Sequence, residues 1–201
     1  RAVAPGENAF AILQCESPIV AEYGQPFVLR QLSPARTIGG GAIIGPALRA
    51  TDRQNRCLTA AAGLASTDAR ERLAAYIHLR SHTAFDETSE SWIGLDQSQC
   101  ASAAGELEKR GEIVRIHGAQ PAFVSMPRFR ELKERMIRRC RTELEKRRPA
   151  SFVPLSVILS AMKRHASPHV LETLLGDMAK RGELVLRGDR VGLTTGPELS
   201  N

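Results

Sequence analysis

Apolar residues along the chain follow one period near its start and another over the rest. Up to residue 50, stretches 9–15 and 26–32 are rich in β-branched and aromatic side chains and read as strands, punctuated by Ser33-Pro34 and by Ile38-Gly39-Gly40-Gly41. An Ala-rich stretch, 52–64, predicts a connecting helix. Beyond it apolar positions recur at three and four, the helical spacing. Thr67 is expected to cap a helix over 68–80 with Leu73, Tyr76 and Ile77 inward, and a short helical turn is expected near Trp92 and Leu95. Cys100, Ala103, Ala104 and Leu107 form the stripe of a third helix, which a strand over 113–116 follows.

The same order then recurs. A long helix over 129–147 carries Phe129, Leu132, Met136, Cys140 and Leu144, spaced 3, 4, 4 and 4. A short helix over 155–162 comes next, and then a helix capped by Ser167 with Pro168 at its first position. Its stripe is Val170, Leu171, Leu174, Leu175 and Met178. A strand from Leu184 runs into the turn Arg187-Gly188-Asp189-Arg190 and returns through Val191-Gly192-Leu193.

The recurrence is visible in the letters themselves. Gly105-Glu106-Leu107-Glu108-Lys109-Arg110-Gly111-Glu112-Ile113-Val114 reappears 71 residues later as Gly176-Asp177-Met178-Ala179-Lys180-Arg181-Gly182-Glu183-Leu184-Val185, with six of ten positions identical. Lys-Arg in a last helical turn complements the helix dipole, and Gly111 and Gly182 stand where a helix ends in a left-handed residue. Such self-similarity marks two copies of one supersecondary unit. Three helices followed by a β-hairpin define the winged-helix variant of helix-turn-helix. The expected class is therefore α+β: a partial β-barrel segment over 1–50, a connecting helix over 51–66, and two tandem winged-helix modules over 67–127 and 128–197.

Composition is that of a globular chain, with 42% apolar and 25% charged residues in 201. No apolar run reaches the ~18 residues that span a bilayer. The first residues show no secretory pattern, and Arg at position 1 leads us to expect a trimmed piece. Four cysteines about forty residues apart, with no C-x-x-C pair, suit buried thiols in a reducing cytoplasm rather than a zinc site. Charge separates the segments more sharply: net +2 over 1–66, −3 over 67–127 and +7 over 128–201. The positive field thus belongs to the last third, and a field of that sign attracts phosphate.

Catalytic chemistry finds no support in the residues. No G-x-x-x-x-G-K-S/T loop occurs to cradle a nucleotide. Gly39-Gly40-Gly41 lacks the Lys and Ser/Thr that would follow and reads as a barrel turn. The histidine pairs His78/His82 and His165/His169 straddle helix ends and read as surface or groove-facing residues rather than metal ligands. Aromatics are only 4% of the chain, too few for base-stacking platforms, so the shape and phosphates of a folded RNA are the better target.

A family resemblance rests on the N-terminal segment. Phe27-Val28-Leu29-Arg30, Ser33-Pro34 and Arg36-Thr37-Ile38-Gly39-Gly40-Gly41, followed by Ala42-Ile43-Ile44, resemble the end of the third domain of translational GTPases. The phrase looks like the selenocysteine-specific elongation factor, the SelB family of bacteria, which follows that barrel with winged-helix modules. Members of that family typically carry four such modules, and two are found here. The resemblance implies translation as the process and RNA as the partner. The family's barrel contacts selenocysteinyl-tRNA, and its C-terminal modules reach a hairpin in selenoprotein messenger RNA on the ribosome. It implies that GTP and magnesium belong to an N-terminal domain outside this chain, which itself takes no cofactor and is not an enzyme. A truncated barrel would expose apolar edge strands, so self-association is expected.

RNA contact is expected from nine residues of the second module. Lys163 and Arg164 precede its third helix, His169 lies in the first turn, and Lys180 and Arg181 end it. Arg187 and Arg190 flank the wing, while Arg138 and Arg141 lie on the long helix. Lys109-Arg110 occupies the matching place in the acidic first module, so the second pair also reads as a helix-ending stop. Two other functions fit a tandem winged helix: a regulator binding duplex DNA, and a spacer with no nucleic-acid affinity.

Overall fold

The computed structural model describes residues 3–45, 51–80, 83–84, 92–116 and 122–194. His82 and the acidic residues Asp86, Glu87 and Glu90 lie outside them. The architecture is α+β, with six helices and three small sheets among the described residues. Two compact units divide the chain, residues 1–113 and 114–201. None of the described helices is long and apolar enough to cross a membrane.

The first unit opens on β1 (Pro26–Gln31) and β2 (Arg36–Ala42), an antiparallel ribbon. The expected strand over 9–15 does not form; those residues take neither helix nor strand. The three glycines are strand rather than turn, because β2 runs straight through them. Packing explains two of them, whereas a Cβ on Gly39 would meet open space. A Cβ on Gly40 would stand 2.6 Å from the Phe27 carbonyl oxygen, and one on Gly41 would stand 3.1 Å from the Phe27 ring. Every residue of β2 is exposed, and the described residues close no barrel. A two-stranded ribbon is marginal alone.

Helix α1 (Thr51–Leu64) packs on α2 (Ala69–Arg80), where a Cβ on Gly63 would lie 2.8 Å from that of Ala75. The cap of α2 is Asp68 rather than Thr67. Its carboxylate accepts from the Arg70 amide at 2.8 Å, which an aspartate does better than the residue before it once the helix starts at Ala69. Leu73, Tyr76 and Ile77 are buried as their spacing requires. A two-residue strand, β3 (Thr83–Ala84), and helical Trp92 and Ile93 lead to α3 (Gln97–Lys109), opened by a capping box between Asp96 and Gln99. Tyr23 packs against Gly94 and lies under the Arg72 guanidinium, 5.0 Å from ring centre, pinning the N-terminal segment to α2.

The unit boundary falls at the first residue of β4 (Ile113–Ile116), and β5 (Ala122–Ser125) leads without a linker into α4 (Met126–Lys146). Then come β6 (Val153–Pro154), α5 (Leu155–Met162), α6 (Pro168–Lys180), β7 (Leu184–Arg187) and β8 (Arg190–Leu193). The two three-stranded sheets share one strand order, β3-β5-β4 and β6-β8-β7. The core of the second unit gathers Phe129, Leu132, Met136 and Cys140 from α4 with Leu171, Leu174 and Met178 from α6. Ile116 and Val124 of the β4–β5 hairpin belong to this same core.

The repeat extends to backbone geometry. Glu112 N–H reaches Leu107 O at 3.0 Å and Gly111 N–H reaches Glu108 O at 3.0 Å. Glu183 and Gly182 do the same to Met178 O and Ala179 O at 2.9 and 3.1 Å. Both glycines sit at φ 69°, closing each helix with one left-handed C-terminal motif. Ser167 starts α6 with an extended backbone, yet its hydroxyl makes no capping bond.

Candidate nucleic-acid interface

Strands β7 and β8 form a hairpin whose last pair is Arg187 opposite Arg190, joined by Gly188 and Asp189. Like charges directly across a ladder oppose folding, so their presence at a tip calls for a compensating anion or wide solvent access. Both arginines are exposed. Gly188 supplies φ 57° for the turn, and the Asp189 carbonyl accepts from the Leu155 amide at 2.8 Å. The tip is therefore tied to the start of α5 rather than left to swing. Phe152, just before β6, carries the Arg187 guanidinium 4.7 Å from its ring centre.

All nine residues expected to meet RNA lie on the surface of the second unit. They differ in what else they hold. Arg181 donates to Asp177 at 3.0 Å, which supports the helix-stop reading for that residue. Arg164 donates from Nε to His165 Nε2 at 3.0 Å, and His169 Nδ1 stands 3.7 Å from Glu172. Lys163, Lys180, Arg190, Arg138 and Arg141 make no ion pair with a described residue.

Along α4 the cations divide. Glu143 is buried and pairs with Arg139 at 2.9 Å, with Lys146 at 3.2 Å and with Arg147. The hydrogen bond from Arg147, then that from Lys146, holds its carboxyl below the usual range despite burial. Three of the basic residues toward the C-terminal end of α4 thus serve this carboxylate, while Arg138 and Arg141 face solvent. Lys133 is likewise spent internally, 2.6 Å from Glu183 and 3.4 Å from Asp177.

Two basic residues that the sequence did not single out, Arg128 and Arg135, gather beside the α5–α6 turn with His165, which the sequence read as a surface or groove-facing histidine. Arg128 Nη2 donates to the His165 carbonyl at 2.7 Å, and Glu131 accepts from Arg128 at 2.5 Å and from Arg135 at 2.8 Å. Burial alone would raise the Glu131 carboxyl, but the hydrogen bonds from Arg128 and Arg135 outweigh it and leave it lowered. No local pattern joins residue 128 to residue 165; only the fold does.

Among the described residues no three His, Cys, Asp or Glu side chains gather to hold a metal. Cys15 is exposed, whereas Cys57, Cys100 and Cys140 are buried. Burial pushes the Cys140 thiol up to about 11.

No family model matches this chain, and no curated protein matches it. Among solved structures, the crystal structure of hypothetical protein PyrSV_gp04 from Pyrobaculum spherical virus is similar at 18% identity, over 73% of this chain and 97% of that one, with a TM-score of 0.32. A likeness at that score carries no argument about fold or function.

Proposed function

We propose that this chain is the non-catalytic part of a selenocysteine-specific elongation factor. The ribbon of β1 and β2 is the end of the tRNA-contacting barrel. The rest is two winged-helix modules acting in the cytoplasm on a selenoprotein messenger RNA hairpin. GTP and magnesium belong to a domain outside this chain. Support for the modules comes from the repeated order of helices and strands, the shared strand order of the two sheets and the matching helix ends. Support for the family comes from the phrase Arg36–Gly41 and its place ahead of those modules.

One observation carries the RNA reading: Arg187 and Arg190 face each other at an anchored hairpin tip, in the segment of highest positive charge. Phosphates placed there would relieve the repulsion between them and release counterions.

The test is fluorescence anisotropy of a labelled RNA hairpin against salt, with duplex DNA of equal length as competitor. Arg187→Gln with Arg190→Gln is expected to weaken RNA binding on the order of tenfold and to flatten the salt slope by about 2. Tighter binding to duplex DNA would favour a transcription regulator. Absence of any salt-dependent affinity would leave only a spacer.

A further inference from the structure

We infer that Arg128, Arg135, Arg164 and His165, where the start of α4 meets the α5–α6 turn, form a binding site for a phosphate group of RNA, separate from the wing. The identity of the ligand rests on the RNA reading above; the site itself rests on local geometry.

Three guanidiniums and one imidazole gather there around a single carboxylate, which pairs with two of the guanidiniums. Glu131 takes hydrogen bonds from Arg128 and Arg135, and Arg128 spans to the turn through the His165 carbonyl. Arg164 donates to the imidazole at Nε2, so His165 is an acceptor on that nitrogen and stands neutral with its proton on Nδ1. The groups facing it are Arg128, Glu131 and Arg135 from α4 and Arg164 from the turn. Four cationic or protonatable groups against one acid leave a positive excess that no other described carboxylate cancels. Burial, then the charges of Arg135, Arg164 and Arg128, hold the imidazole below its ordinary range, and only Glu131 opposes them.

Two other charge clusters show what a purely structural arrangement looks like here. Arg70 bridges two carboxylates, Asp68 at 2.6 Å and Glu106 at 3.1 Å, and is fully compensated. The Glu143 cluster centres on a buried carboxylate that its own helix saturates with donors. At Glu131 one guanidinium, that of Arg164, is instead turned to an imidazole rather than to the carboxylate, and Arg135 and Arg164 are exposed while His165 is half-buried. An anion entering between them would gain charge-assisted donors from the guanidiniums and would favour protonated His165. Binding should therefore take up a proton and strengthen as pH falls below the ordinary histidine value of 6.5 toward the lowered range of His165.

The experiment uses the whole chain with two probes, inorganic phosphate and the labelled RNA hairpin. Phosphate is expected to shift the His165 imidazole resonances and raise their titration midpoint, and Arg135→Gln or Arg164→Gln should abolish both effects. Those variants should weaken RNA binding about three- to tenfold, and His165→Gln should remove the strengthening of RNA binding at lower pH. Both arginines are exposed, so neither change threatens the fold. RNA binding that depends on Arg187 and Arg190 yet ignores Arg135→Gln and Arg164→Gln would overturn this site while leaving the function standing. Phosphate that moves His165 in a chain without RNA affinity would sustain the site and overturn the function. Unmoved His165 resonances would overturn the site outright.

Discussion

The guanidinium of Arg187 lies 4.7 Å from the centre of the Phe152 ring, and the same ring edge would stand 3.0 Å from a Cβ on Gly192. Phe152 is thus held between a strand with no side chain and a cation at the hairpin tip. Phe152→Leu keeps apolar volume but loses the cation–π contact, so the second unit should lose about 0.5–1 kcal/mol in urea unfolding. RNA binding should weaken as well, because Arg187 is no longer positioned. Gly192→Ala should cost more than Phe152→Leu, since the new methyl meets the Ser151 carbonyl oxygen at 2.7 Å, which is backbone and cannot turn aside. Equal midpoints for wild type and Phe152→Leu would show that the ring carries no such load.

Lys133 joins α4 to the far end of α6 and the entry to β7. Its side chain is only 16% exposed and its Nζ lies 2.6 Å from Glu183. The pair sits between the surface case, worth under about 1 kcal/mol, and the buried case, where breaking one partner costs about 3–5 kcal/mol. Lys133→Met is expected to fall between them, at about 1–3 kcal/mol. A double-mutant cycle with Glu183→Gln should give a coupling of about 1 kcal/mol. Coupling near zero would mean the contact is screened like any surface pair.

Local patterns in the letters foretold the helices well and the strands unevenly. The stripes of α2, α3, α4 and α6 are buried where three-and-four spacing puts them, apart from Leu144, which is half-buried at the end of α4, because one helix face is set by the chain itself. Residues 9–15 have the composition of a strand, but a strand needs a partner to pair with and none of the described strands offers one. The glycines at 39–41 read as a turn because their letters cannot show that the Phe27 carbonyl lies against Gly40 and the Phe27 ring against Gly41. Glu143 was overlooked although the letters carry the signal: it falls three after Cys140 on the buried stripe, with Arg139 and Arg147 each four away. The cluster around His165 was not legible, since Arg128 lies 37 residues off and reaches it only through tertiary packing.

Ile116 and Val124 sit in the hairpin that ends the first repeat, yet their side chains complete the core built by α4 and α6. β5 also passes into α4 at Ser125–Met126 with no intervening loop, which ties the hairpin covalently to the long helix. Ile116→Ala in the whole chain should therefore destabilise the second unit by about 2–5 kcal/mol, the usual loss for a buried large-to-small change. Hydrogen exchange should report it as faster exchange at amides of α4 and α6, including those near Met136 and Leu174. Unchanged protection there, with loss confined to α2 and α3, would assign the hairpin to the first repeat alone.

Asp68 makes the first unit sensitive to acid. Its hydrogen bond from the Arg70 side chain, with that from the Arg70 amide, holds its carboxyl down to about 2, against 3.8 for an ordinary aspartate. A lowered carboxyl is protonated first in the unfolded chain as pH falls. Its contribution is therefore complete above 3.8 and is lost progressively as pH drops toward about 2. Asp68→Asn keeps an oxygen for the Arg70 amide but has no charge to lose. Comparing the two proteins separates this residue from other carboxylates held below their ordinary range, among them Glu131 and Glu143. Amide exchange in α2 should accelerate for wild type across that acid window, while Asp68→Asn, already weaker at neutral pH, should lack this step. Parallel curves for both proteins would mean that the carboxylate at 68 is solvated and makes no lasting contact with Arg70.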